Sequence, residues 1–200
     1  MRFFTHAVTL VLLAAFLAAS CKPAQKQEPK PAVEGTYFSV RQFVRDQFNT
    51  YRNQPFVFLK VVQDGQQTDS SYVAADTMDW KPVLDAFSDA DIGDTALVGR
   101  YKYSEFDEGL TGQHMFLYEA ATPELTTRQL MIGADPFTGR ILSVYMDVNL
   151  PKGKTQKLYY ATLKLIQIQQ FSGKGDKARN LRVEYFFPRM GNDDAEEFIP

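Results

Sequence analysis

Histidine and cysteine carry much of enzyme catalysis and metal binding, and this chain has only two histidines and one cysteine. His6 lies in an apolar leader, so His114 is the single imidazole of everything that follows. A serine–histidine–carboxylate relay centred on His114 lacks the Gly-x-Ser-x-Gly elbow that would present the nucleophile. One histidine and one cysteine also fall short of the nitrogen and sulfur ligands that zinc takes. The stretch Asp89-x-Asp91-x-Gly93-Asp94 has the oxygen density of a calcium loop. Its glycine and last aspartate are transposed relative to an EF-type loop, however, and Arg100 stands where the bidentate glutamate belongs. A solvated helix end is expected there. Ser172-Gly173-Lys174-Gly175 lacks the upstream glycine and the following hydroxyl residue of a phosphate loop, and reads as a hairpin loop with Lys174, Asp176, Lys177 and Arg179 in solvent. Carboxylates remain: Glu105, Asp107 and Glu108 cluster after a strand pattern, and Glu119, Asp147 and Glu184 fall inside strand patterns. A glycosidase-type pair needs two carboxyls roughly 5 to 10 Å apart across a groove, which spacing along the chain does not establish. They read as outward-facing strand charges. No catalytic residue, metal site or cofactor is assigned, and the chain is not read as an enzyme; a carboxylate-pair hydrolase stays as an alternative.

The aromatic side chains offer binding chemistry instead. Tyr101, Tyr103, Phe116, Tyr118, Tyr145 and Tyr185, with Tyr159 and Tyr160 beside them, fall in neighbouring strand segments. On a sheet that curls, they would line a concave pocket for a small apolar ligand. On a flat one they would pack against helices or decorate the surface.

The elements that must position these residues follow from periodicity. Val40, Phe43, Val44, Phe48 and Tyr51 recur at helical spacing, with Ser39 and Gln42 placed as a capping box and Pro55 ending the run. Phe56 to Val62 and Gln66 to Val73 predict a hairpin about Asp64-Gly65, a turn pair that tolerates positive φ. Trp80, Val83, Leu84 and Phe87 form the stripe of a short second helix, with Asp79 as cap and Pro82 in its first turn. Strand patterns follow over 96–103, 113–120, 128–134, 140–148, 156–160, 163–171 and 181–187. Leu142, Val144, Met146 and Val148 alternate with Ser143, Tyr145 and Asp147. Short turns such as Asp135-Pro136-Phe137-Thr138-Gly139 force antiparallel neighbours. The fold class expected is α+β: a meander of about six to eight antiparallel strands covered on one face by two amphipathic helices.

Composition and the chain ends set the address. Hydrophobic residues make up 44% of the chain, normal for a globular domain. Removing residues 1–20 takes one arginine from 22 basic residues, which leaves 21 against 24 acidic and a net charge of −3. Such a balance offers no electrostatic footprint for nucleic acid. Arg2 precedes an apolar run through Phe16 that is shorter than the ~20 residues of a membrane-spanning helix. Leu17-Ala18-Ala19-Ser20-Cys21 then resembles the lipobox of bacterial lipoproteins, with Ala18 where leucine is usual. The resemblance implies cleavage before Cys21 and lipid on that cysteine. Lys22, where an acidic residue signals inner-membrane retention in that family, points to the outer membrane. Residues 21–35 read as the lipidated cysteine and a proline-rich, charged tether, 36–187 as one globular domain, and 188–200 as an acidic tail. A helix leading into strands joined by Asp-Pro-x-Thr-Gly also resembles PepSY-type modules over Asp135 to Ile141. The functional expectation is an envelope lipoprotein with a non-catalytic binding role, engaging an envelope protein or carrying a small apolar ligand.

Overall fold

The computed structural model describes residues 37–188 except 53, 174, 176 and 177. The segments expected as signal peptide, lipidated Cys21 and tether, and the expected acidic tail past residue 188, lie outside the described residues. Two helices, α1 (Val40–Tyr51) and α2 (Lys81–Asp89), accompany nine strands: β1 (Val57–Asp64), β2 (Gln67–Ala74), β3 (Tyr101–Asp107), β4 (His114–Ala120), β5 (Thr127–Ala134), β6 (Ile141–Leu150), β7 (Lys154–Ala161), β8 (Leu165–Ser172) and β9 (Arg179–Phe186). All nine join one antiparallel sheet in the order β2-β1-β9-β8-β7-β6-β5-β4-β3. The expected six to eight strands were too few. The return of β9 to pair with β1 joins the first hairpin to the seven-strand meander, so all nine strand patterns enter one sheet. A pairing between segments about 120 residues apart has no local signature.

Local chemistry explains the helix ends. The Ser39 hydroxyl accepts from Gln42 N, as the capping-box spacing predicts. The Asp91 carboxylate reaches the same end, accepting from Val40 N at 2.7 Å and from the Ser39 hydroxyl at 3.0 Å. The stretch read as a solvated helix end is therefore in part a cap on α1, a use only tertiary structure reveals. Gly93 is required there, because a Cβ on it would come within 2.8 Å of Ser39 Cβ and 2.9 Å of Ser39 Cα. Of the predicted α1 stripe, Val40, Val44 and Tyr51 are buried, while Phe43 and Phe48 are half-buried. Asp79 holds the N–H of Lys81 at the start of α2.

Three turns refine the sequence reading. The first hairpin turns on Gly65-Gln66, one residue later than expected: Gly65 alone has positive φ and Asp64 pairs with Gln67. Glycine first among the two central residues is the II′ pattern. Residues 95–97 form a 3₁₀ turn capped by Asp94, and Gly99 sits at φ 79, so the strand expected over 96–103 starts only at Tyr101. Glu105 and Asp107 consequently lie inside β3, not after it. The Asp135–Gly139 turn has its glycine at φ 69, and the Asp135 carboxylate accepts from Phe137 N and Thr138 N. Those two N–H groups hold the Asp135 pKa below the ordinary carboxylate value.

Strict alternation sorts the strand residues into two sets. One set supplies the core: Phe58, Tyr101, Leu130, Ile132, Val144, Met146, Val148, Leu158, Tyr160, Ile166 and Tyr185. Leu142 leaves the expected alternation because a bulge pairs Ala134 with Ile141, so Ile141 packs against the core in its place. From α1, the Phe43 ring meets Tyr160 edge-on at 5.3 Å. The hydroxyls of Tyr51 and Tyr160 lie 2.8 Å apart, both within reach of Gln47 Oε1. Trp80, before α2, stacks edge-on to Phe58 and donates to Ala75 O at 2.9 Å. The large hydrophobic cluster is drawn from the first set, and the buried side chains of the second are Met115, Ala161 and Glu184.

Candidate functional site

The predicted aromatic residues separate into three places. Tyr101, Tyr103, Phe116 and Tyr118 come together on the core-side face of the β3–β4 hairpin, through the pairs Tyr103–Tyr118 and Glu105–Phe116. Tyr37, which sequence reasoning missed, fills the space between them: its ring sits 5.6 Å edge-on to both Tyr101 and Tyr118. Its hydroxyl accepts from Gly99 N and Tyr101 N and donates to Tyr101 O, which occupies both outward backbone groups of that edge residue. Tyr101 donates to Thr127 O at 2.9 Å, and burial pushes its pKa up to about 12. This cluster is filled by its own rings. Tyr185 lies in β9, separated from β4 by four strands, under the ammonium of Lys60. Tyr145 belongs to the opposite face, because it pairs with Met131 and Tyr159. The six residues therefore do not form one pocket.

His114 stands beside the tyrosine cluster with a carboxylate on each ring nitrogen. Asp107 Oδ1 is 2.7 Å from Nδ1, and Glu105 Oε2 is 3.9 Å from Nε2. Tyr103 donates to the same Glu105 oxygen at 2.9 Å, and Phe116 meets the imidazole edge-on. The Asp107 hydrogen bond above all, helped by the charge of Glu105, raises the His114 pKa. Glu105 and Asp107, two of the carboxylates weighed for hydrolysis, thus lie on either side of one imidazole. The group resembles no metal-ligand set: among the described residues no three histidine, cysteine, aspartate or glutamate side chains are arranged to hold an ion.

The opposite face carries a different constellation, arranged by register into three rows that cross the sheet. The first runs Phe106, Met115, Gly133, Ser143, Ala161, Leu165, Phe186, Leu59 and Tyr72. The second has Leu117, Met131, Tyr145, Tyr159, Gln167, Glu184 and Val61. The third has Lys102, Glu119, Gln129, Asp147, Lys157, Gln169, Arg182 and Gln63. The face thus grades from apolar through aromatic to charged along the strand direction. In the charged row Lys102 stands opposite Glu119 and Asp147 opposite Lys157, the cross-strand arrangement that favours pairing. Arg128 adds an ion pair to Asp147.

Two details of this face escaped the sequence. Glu184, expected among solvated strand charges, is only 9% exposed, with Arg182 Nε 3.4 Å from its carboxylate. That Nε is buried without a hydrogen-bond partner among the described residues, while Arg182 Nη2 donates to Gln63 at 2.7 Å. The Arg182 side chain keeps 38% of its surface in solvent, so only the carboxylate side of this pair is buried. Gly133 lets the Gln113 amide lie across β5 to Ser143, where a Cβ would come within 2.0 Å of Gln113 Oε1. A pocket of about 260 Å³ opens where this face meets the β8–β9 end, lined by Thr155, Phe171, Ser172, Arg179 and Asn180. Its Arg179 is already engaged by Asp64. No helix among the described residues is long and apolar enough to cross a membrane. Comparison with known proteins returned no match: no family model, curated protein or solved structure is significantly similar to this chain.

Proposed function

We propose that this chain is a lipid-anchored protein of the bacterial outer membrane whose mature domain is a non-catalytic binding module, its graded sheet face taking an envelope partner. In this reading α1 and α2 cover the core side of the sheet and leave the other side for binding. The observation that carries it is the second set of strand residues, which buries little beyond Met115 and Ala161 yet includes Leu59, Tyr72, Phe106, Leu117, Met131, Tyr145 and Tyr159 outside the hydrophobic cluster. Large side chains on a sheet face outside the core mark an interaction surface. The charged row along one border would set the partner's orientation, as rim charges do at protein interfaces. Address rests on the lipobox: Cys21→Ser releases the protein from the membrane fraction, and unchanged retention removes the anchor reading.

A photo-crosslinking side chain placed at Tyr159 or at Tyr145, in the native host, tests the module. A discrete protein adduct from both positions supports it. Absence of any adduct from either, with the protein folded and at normal abundance, removes it. Native mass spectrometry of the protein taken gently from the envelope separates the carrier alternative, which requires a reproducible small-molecule adduct.

A further inference from the structure

The meander places the hairpin tips of the sheet alternately at two ends, and the ends differ. One end holds the β3–β4 loop, the β5–β6 turn, the β7–β8 turn and the start of β1. The other holds the β1–β2, β4–β5, β6–β7 and β8–β9 connections. Seven large hydrophobic side chains are exposed among the described residues: Val57, Tyr72, Val98, Phe106, Leu110, Phe137 and Leu163. All except Val98 lie at or beside the first end. Three of them crown its tips, with Leu110 at 97%, Phe137 at 95% and Leu163 at 44% exposure. Scattered single apolar residues are ordinary on a surface, but their gathering at one end is not.

We propose that this rim dips into a phospholipid bilayer surface. The tips follow one another two strands apart, so they form a line with steps of about 10 Å. They stand singly, with turn backbone and polar side chains between them. A protein partner is matched by a continuous apolar patch, whereas a bilayer accepts each protruding side chain on its own. Cations suited to headgroup phosphates adjoin two of the tips: Arg140 follows the Phe137 turn and Lys164 follows Leu163, both exposed and neither in a salt bridge among the described residues. The nearby Asp135 carboxylate is turned inward onto its own turn's N–H groups. Leu163 adds an independent sign. It occupies the left-handed region at φ 56, where glycine would sit without strain, so the apolar side chain on that tip comes at a local backbone cost. The rim needs no lipid on Cys21. It is compatible with one, because the 16 residues from Cys21 to Tyr37 span up to about 55 Å, and an eight-residue strand only about 27 Å.

Tryptophan reporters test this in the full chain bound to vesicles of phosphatidylcholine with phosphatidylglycerol. The native Trp80, 6% exposed, supplies a constant background. Leu110→Trp and Phe137→Trp place a reporter on the rim, and Glu124→Trp places one at the opposite end. The rim reporters are expected to emit further to the blue on vesicles and to lose intensity when the acyl chains are brominated, while Glu124→Trp does neither. Rim reporters that match Glu124→Trp on bound chains overturn the rim and leave the anchor reading standing. A blue shift that bromination does not touch overturns it too, because the rim would then be buried against protein. Failure to bind vesicles at all overturns it as well.

Discussion

The two faces of the sheet are built from the same strands, alternate residue by alternate residue, and they differ sharply in burial. The core side gathers Val144, Met146, Leu158, Tyr160 and Ile166, all 2% exposed or less. The other side sets Tyr145, Lys157, Tyr159 and Gln167 on the very same strands at intermediate to full exposure. Burial is thus concentrated on one side, with Met115, Ala161 and Glu184 the buried side chains of the other. The difference teaches where to look for function: in side chains whose removal the fold can tolerate.

If this division is right, substitutions should sort by face. Phe58→Ala, which empties a fully buried ring site against Trp80 and Phe187, should lower unfolding free energy by about 3–5 kcal/mol in urea titrations. A loss below about 1 kcal/mol would mean the core is not where the packing puts it. Phe43→Ala on α1 should fall short of that cost, because its ring is only half-buried. Next comes Gly93→Ala, whose methyl group meets the Cβ and backbone of Ser39; it should cost about 1–3 kcal/mol through strain and a displaced α1 cap. Asp91→Ala removes the acceptor for Val40 N while leaving the Ser39 cap and should cost about 1–2 kcal/mol, readable as weaker hydrogen-exchange protection at the start of α1. On the opposite face, Tyr159→Ser should change stability by under about 1 kcal/mol while abolishing the proposed partner adduct. A large destabilisation there would erase the distinction between the faces.

The smallest effect concerns pH. His114 has a raised pKa in the folded protein, so its contribution is complete below the unfolded value near 6.5 and is lost as pH rises through the folded value. NMR titration of the imidazole should show the upward shift, and Asp107→Asn should bring it back down.

Much of the architecture was legible along the chain. The α1 stripe with its Ser39 cap, the alternation of Val144, Met146 and Val148, and the Asp135–Gly139 turn all depend on residues within a few positions of each other. Such interactions obey fixed periods of 3.6 and 2, and sequence carries them directly. The lipobox-like order around Cys21, the net charge and the scarcity of histidine and cysteine belong to the same class of local information. The aromatic site was legible only as a set of residues. Tyr145 and Tyr185 parted from Tyr101, Tyr103, Phe116 and Tyr118 because face and strand order, not proximity along the chain, decide which rings meet.

Tertiary structure alone decided the rest. It paired β9 with β1, turned Asp91 into a cap for α1, buried Glu184 beside Arg182 and drew Tyr37 onto the edge at Tyr101. It also gathered Leu110, Phe137 and Leu163, which lie far apart in sequence, along one rim. Each of these is a contact between distant segments whose entropy of closure is met by the cooperative packing of the whole sheet, and no window of neighbouring residues contains that information.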